Sequence, residues 1–238
     1  MSPGRHALYA VLAWAVLSAI GIFLVVGVQI MPQVASHEAE IENNAFVLLT
    51  VVSVPVLMFV VVGIVYTALY FRAGTDTADG PPVQASSRLQ AAWLILTTAM
   101  VIGLFVYGAI GLVEIRGAQE ATFEVEVHAK QWAWEFDYDH AGFAADELHI
   151  PVDQRVHLII NSNDAIHSLW LPALGIKQDA VPGRPTEAYV TATQTGTYSV
   201  LCAELCGFGH TIMTSSVVVS TQAELDAWMQ QQREAATQ

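Results

Sequence analysis

Three stretches of this chain carry no charged side chain over more than twenty residues each: Leu8 to Ile30, Phe46 to Tyr70 and Ala91 to Val113. A helix of about 20 apolar residues is long enough to cross a hydrocarbon core. No comparable run follows Glu114. The 54% hydrophobic content of the 238 residues is therefore concentrated in the first half, and the second half has to fold by other means.

Orientation follows from the basic residues. Arg5 precedes the first span, and Arg72 and Arg88 bracket the link between the second and third. The link between the first two spans, "MPQVASHEAEIENNA", has three Glu and no Lys or Arg. The positive-inside rule places the N-terminus and the 72–88 link in the cytoplasm, which leaves residues 114–238 outside. "RAGTDTADGPPVQASSR" is small, polar and rich in Gly and Pro, so it reads as the loop of a helical hairpin. Residues 1–45 read as a first transmembrane helix or signal segment with its outer link, 46–113 as the hairpin, and 114–238 as an exported domain. A signal peptide would be cut after Val34–Ser36; the apolar run is long for a signal core, which favours a retained helix.

Beyond Glu114 the hydrophobic period becomes two. Phe123, Val125 and Val127 alternate with Glu124, Glu126 and His128, and "QWAWEFDY" sets Trp132, Trp134, Phe136 and Tyr138 on one face. Further strands are expected at Leu148–Ile150, Val156–Asn161, Glu187–Thr191, Thr197–Cys202 and Ser215–Ser220, at the short spacing of a sandwich or barrel. Thr221 and Glu224 form a capping box before a helical stripe of Leu225, Trp228 and Met229. This is a membrane-anchored all-β protein. From Glu114 onward 17 Asp or Glu stand against 6 Lys or Arg. Such a domain does not suit nucleic acid, whose phosphates need the opposite charge, but it suits a basic soluble partner.

Both cysteines lie in "CAELCGFGHTIM", residues 202–213. Two exported cysteines commonly form a disulfide. Two Cys and two His can also hold zinc, and His210 could activate a thiol. Cys202, Cys206, His210 and Met213 together are the thiolate, imidazole and thioether set that selects copper. Gly207 and Gly209 let the loop close around a compact centre. A further histidine is expected from an earlier loop, and His167 in "NDAIHSLWLP" fits. These residue types favour copper and leave the other three readings open.

"KQWAWEFDY", "HSLWLPALGIKQDAVPGR" and "GTYSVLCAELCGFGHTIM", preceded by a transmembrane hairpin, resemble subunit II of the haem–copper cytochrome c oxidases in the same order. The resemblance covers nearly everything after residue 46. It implies a cupredoxin-like Greek-key β-sandwich or barrel, and the binuclear copper A centre. The thiolates of Cys202 and Cys206 would bridge two copper ions. His167 and Met213 would complete one ion, and His210 with the backbone carbonyl of Glu204 the other. The Glu204 side chain would face magnesium or manganese at the border with subunit I. Trp132 matches the tryptophan that receives electrons from cytochrome c, with Trp134 and Phe136 left as core. Asp179 and Arg184 match polar residues packed on subunit I.

The implied function is electron entry into a terminal oxidase of a cell inner membrane, with the domain on the periplasmic side. Haem would reside only in the partner subunit, and subunits I and III, a small one-electron carrier such as cytochrome c and the lipid bilayer would be the partners. A nitric oxide reductase-type complex, or a membrane-anchored copper protein acting alone, would use the same ligands. Two departures stand out. Gln90 occupies a position before Trp93 where the family places a carboxylate, and Leu8–Ile30 is an extra apolar run if it is retained.

Overall fold

The computed structural model describes residues 2–28, 32–72, 86–116, 121–138 and 141–236. It divides into two compact units, one formed by residues 1–30 and 44–110 and the other by residues 31–43 and 111–238. Most of the proposed hairpin loop, residues 73–85, lies outside the described residues.

The helices of the first unit belong to α1 (Pro3–Gly27), α2 (His37–Tyr70) and α3 (Ser87–Arg116). All three are long and apolar enough to cross a membrane. Helices α1 and α2 meet through matched small and polar groups, as helices in lipid must where apolar burial gives no drive. A Cβ on Gly21 would stand 2.7 Å from Val54 Cγ1. The Trp14 indole donates to the Pro55 carbonyl at 2.7 Å, and His6 Nδ1 lies 2.9 Å from the Tyr66 hydroxyl. Gln90 is exposed in the first turn of α3.

Helix α2 begins nine residues before the charge-free run, taking up His37 to Ala45, which the sequence reading assigns to a link. Ser36 explains the difference: its hydroxyl accepts from the Ala39 amide at 2.9 Å, and Glu38 and Glu40 in the first turn favour the positive helix end. Charge-free runs thus mark where a helix is apolar, and the caps mark where it starts.

The second unit is a β-sandwich of two five-stranded sheets. One has the order β3-β2-β1-β5-β8, from β1 (Phe123–Lys130), β2 (Ala133–Tyr138), β3 (Phe143–Ala145), β5 (Arg155–Ser162) and β8 (Thr186–Thr191). The other has the order β4-β10-β9-β6-β7, from β4 (Leu148–Pro151), β6 (His167–Leu171), β7 (Ile176–Ala180), β9 (Gly196–Cys202) and β10 (Thr214–Ser220). Strands β1 and β5 run parallel, as do β10 and β4, among otherwise antiparallel neighbours. The inward residues are the expected alternating ones: Val125, Val127, Phe136, Tyr138, Leu158, Ile160, Val217 and Val219 are all buried. Helix α4 (Gln222–Ala236) starts at the predicted box, with Glu224 Oε2 accepting from the Thr221 amide at 2.9 Å.

Two details correct the sequence reading. Trp132 does not share the Trp134–Phe136–Tyr138 face: it sits in the β1–β2 turn, 38% exposed, while the other three are buried. His167 is not on a loop but is the first residue of β6, fully buried. "HSLWL" has four buried positions of five, so its strand lacks the alternation by which a half-buried strand is recognised.

The segment before α2 is part of this unit. The Ala35 amide donates to the Ala173 carbonyl and its carbonyl accepts from the Thr193 amide, each at 2.8 Å. Glu38 is fully buried, pairs with Arg155 Nη1 at 3.4 Å and accepts from the Thr191 amide at 2.9 Å.

Candidate metal centre

At one end of the sandwich, the 202–213 loop brings its side chains onto the start of β6. Strand β9 ends at Cys202, and a short 3-10 turn at His210–Ile212 reverses the chain into β10. Cys202 Sγ and Cys206 Sγ are 3.8 Å apart. Cys202 Sγ lies 3.9 Å from His167 Nδ1 and 3.3 Å from the Glu204 carbonyl oxygen. Cys206 Sγ lies 3.7 Å from His210 Nδ1 and 3.8 Å from Met213 Sδ. Sequence positions 35 residues and more apart thus share one small volume.

The sulfur spacing discriminates between the chemistries. A disulfide needs about 2.05 Å, so the two thiols are not bonded. Two thiolates held by one tetrahedral ion at about 2.3 Å stand close to 3.8 Å apart, which is the spacing found here. One nitrogen or sulfur from each of His167, Cys202 and Cys206 falls within 4.8 Å of the others. Met213 is fully buried against Cys206, and a thioether in the cluster is the donor that separates copper from zinc. The residues fit copper.

Without a cation the Cys206 thiol is reluctant to ionise. Burial, reinforced by the neighbouring Cys202 thiol, pushes the Cys206 thiol up to about 11. A coordinating cation reverses that preference, because a bound thiol gives up its proton.

His167 is oriented from behind. Its Nε2 lies 2.8 Å from Asp164 Oδ1, which leaves Nδ1 facing Cys202. Asp164 also accepts from the Ala165 amide at 2.6 Å and the Gln131 amide at 2.7 Å. Burial works to raise the Asp164 carboxyl, yet the bonds from His167, Gln131 and Ala165 outweigh it and hold it below the ordinary range. Sequence reading missed both Asp164 and Gln131. The available signals were an acid three residues before a ligand histidine and a polar residue beside the exposed tryptophan.

Trp132 lies over the same loop, its indole N–H donating to the Cys206 carbonyl at 3.3 Å. Trp134 is core, with its ring edge-on to His167 at 6.3 Å between centroids. The Glu204 side chain is exposed and only its carbonyl faces the cluster. Asp179 and Arg184 are exposed on β7 and the turn that follows. Large apolar side chains crowd the surface of the loop: Leu205 is 78% exposed, Phe208 99% and Ile212 74%.

The profile of the family described as cytochrome C oxidase subunit II, periplasmic domain, matches residues 139–221. Cytochrome c oxidase subunit 2 of Thermostichus vulcanus is 30% identical, over 87% of this chain and 80% of its own length. The Synechocystis protein of the same name is 28% identical over 84% of this chain and 75% of its own length. Among solved structures, the periplasmic domain of subunit II of cytochrome oxidase from Bradyrhizobium japonicum aligns with 49% of this chain and 97% of itself, at 28% identity and a TM-score of 0.47. With apolar helices ahead of a β-sandwich, and a sulfur–imidazole cluster where the family profile matches, the chain belongs to the cytochrome c oxidase subunit 2 family.

Proposed function

We propose that this chain is the electron-entry subunit of a terminal oxidase, taking electrons from a small carrier such as cytochrome c and delivering them to haem in subunit I, where oxygen is reduced and protons are translocated. The observation that carries this reading is the chain of contacts at 3.7 to 3.9 Å that joins His167 to Cys202, Cys202 to Cys206, and Cys206 to both His210 and Met213. Bound there, a pair of copper ions supplies a one-electron acceptor and donor. Cys202, Cys206, His167, His210, Met213 and the Glu204 carbonyl would hold it.

The rest of the mechanism belongs to the chain. The sandwich fixes His167 on a strand and the other donors on a loop closed by two strands, so the ligands need little rearrangement between redox states. Trp132 presents an exposed ring that hydrogen-bonds the backbone of Cys206, a short covalent step from a ligand sulfur. The excess of acidic over basic residues beyond Glu114 would draw in a basic carrier, and the apolar Leu205, Phe208 and Ile212 offer contact area at the same end. The exposed Glu204 carboxylate is left to meet magnesium or manganese at the subunit I border, and Asp179 and Arg184 would lie against that subunit. Subunit III, the inner membrane and a periplasmic placement of the β-domain complete the proposal.

Copper loading of the purified chain in mild detergent tests it. Two copper ions per chain, with a near-infrared band and the EPR signature of one electron shared between both, are expected. Cys202→Ser and Cys206→Ser should each abolish the band; an unchanged spectrum in either variant refutes the assignment.

A further inference from the structure

We propose that Gln131 is a positioning residue that holds the Trp132 indole on the metal loop, and that Asp164 anchors both this turn and His167. The proposal rests on the reading of Trp132 as the point of electron entry. Three sets of contacts carry it.

The first is the division of the Asp164 carboxylate. Oδ1 faces His167 Nε2 at 2.8 Å and Oδ2 accepts from the Gln131 amide at 2.7 Å. One side chain therefore sets the ring of a ligand histidine and the backbone of the turn that carries Trp132. An ionised carboxylate only accepts, so Nε2 carries the ring proton and Nδ1 keeps its lone pair towards Cys202.

The second is the reach of Gln131 back to the loop. Its Nε2 donates to the Cys206 carbonyl at 2.7 Å, and Trp132 Nε1 donates to the same oxygen at 3.3 Å. Two neighbouring side chains thus grip the backbone of one proposed ligand. A glutamate in place of Gln131 would turn acceptors towards an acceptor.

The third is the absence of side chains beneath the indole. A Cβ on Gly209 would lie 2.6 Å from Trp132 Cγ and 2.8 Å from Cε3, which no packed ring tolerates. At Gly207, where φ is +115°, a Cβ would meet Gln131 Nε2 at 3.1 Å. The ring lies flat on the loop because "CGFGH" has nothing there to displace it.

These contacts predict separable effects in the full chain in detergent. Losing one hydrogen bond changes the ratio of docked to undocked indole by roughly two- to tenfold. In Gln131→Ala, hydroxyl-radical footprinting should show Trp132 oxidised several-fold faster, both copper-free and copper-loaded, while copper content and spectrum stay as in the parent. Asp164→Ala should lose copper to a chelator roughly 10- to 100-fold more readily. Asp164→Asn, whose single carbonyl oxygen can still accept from His167 but leaves the Gln131 amide facing an NH2 group, should recover part of that loss. An unchanged Trp132 footprint in Gln131→Ala overturns the proposal, and so does parental copper retention in Asp164→Ala. Trp132→Phe is the separate check on the underlying reading. If electron uptake from reduced cytochrome c by the assembled oxidase is unaffected there, the entry point lies elsewhere, and the footprint still decides whether Gln131 positions the ring.

Discussion

Met213 is the residue whose chemistry is least replaceable in the cluster. Fully buried, with its sulfur 3.8 Å from Cys206 Sγ, it has the surroundings of a core residue and the donor atom of a ligand. Met213→Leu separates the two roles, since the swap nearly conserves volume and costs less than about 1.5 kcal/mol in a packed core. The copper-free variant should keep its melting temperature. The copper-loaded variant should shift its reduction potential by roughly 60 mV, one tenfold step in a one-electron equilibrium, because a soft donor to the metal is replaced by an apolar side chain. Spectroelectrochemical titration measures it. The site was legible in the sequence to the extent that its donors are neighbours: four of them fall within twelve positions, and His167 was the one distant partner that motif order could supply. Asp164 and Gln131 were signalled only by their places beside His167 and Trp132, which do not reveal what they bind. Their roles depend on hydrogen bonds to residues 33 and 75 positions apart in the chain, and no local pattern records those.

At the scale of elements, α4 docks through a stacked pair. The His149 ring of β4 lies 3.7 Å from the Trp228 ring at an interplanar angle of 10°, and Trp228 also meets Tyr138 and Phe143 edge-on. Burial lowers the His149 pKa, and nearby Glu147 only partly opposes it. Below the ordinary histidine value of 6.5 the unfolded chain takes up a proton that folded His149 refuses. This stability is intact above 6.5, falls as pH drops through the window below it, and levels off beneath the folded pKa. Thermal unfolding followed by tryptophan emission should therefore show a melting temperature lower at pH 5.5 than at pH 7.5. His149→Gln should flatten that difference. The strands at this scale were readable where one face meets solvent, as in β1, β5 and β10. Strands β6 and β7 were lost, and so was the three-residue β3, the first because it is buried on both faces and the last because it is too short to establish a period.

Across the whole molecule, the first turn of α2 is bound into the β-domain's own unit by a buried ion pair. Glu38 and Arg155 have side chains 1% and 8% exposed, and Arg155 Nη2 also donates to the Ile115 carbonyl at 3.0 Å. Removing one partner leaves a buried charge without its counterpart, at a cost of about 3–5 kcal/mol. Glu38→Ala should lower the urea midpoint of the β-domain, read by circular dichroism in detergent, by a corresponding amount. Glu38→Gln, which retains an acceptor for the Thr191 amide, should fall between. Nothing in the acidic 37–42 stretch signals this from sequence, where three glutamates read as a solvated link.

The distance along the chain between Glu38 and Thr191 has a consequence for biogenesis. Their hydrogen bond closes a loop of 153 residues, so the sandwich cannot complete its edge until β8 has been made. At about 5–20 residues per second of synthesis, the Ala35–Glu38 strap waits roughly 8–30 s with its backbone groups and its carboxylate unsatisfied. During that interval the half-made domain exposes an open sheet edge, and anything that guards it has to act before residue 191 emerges.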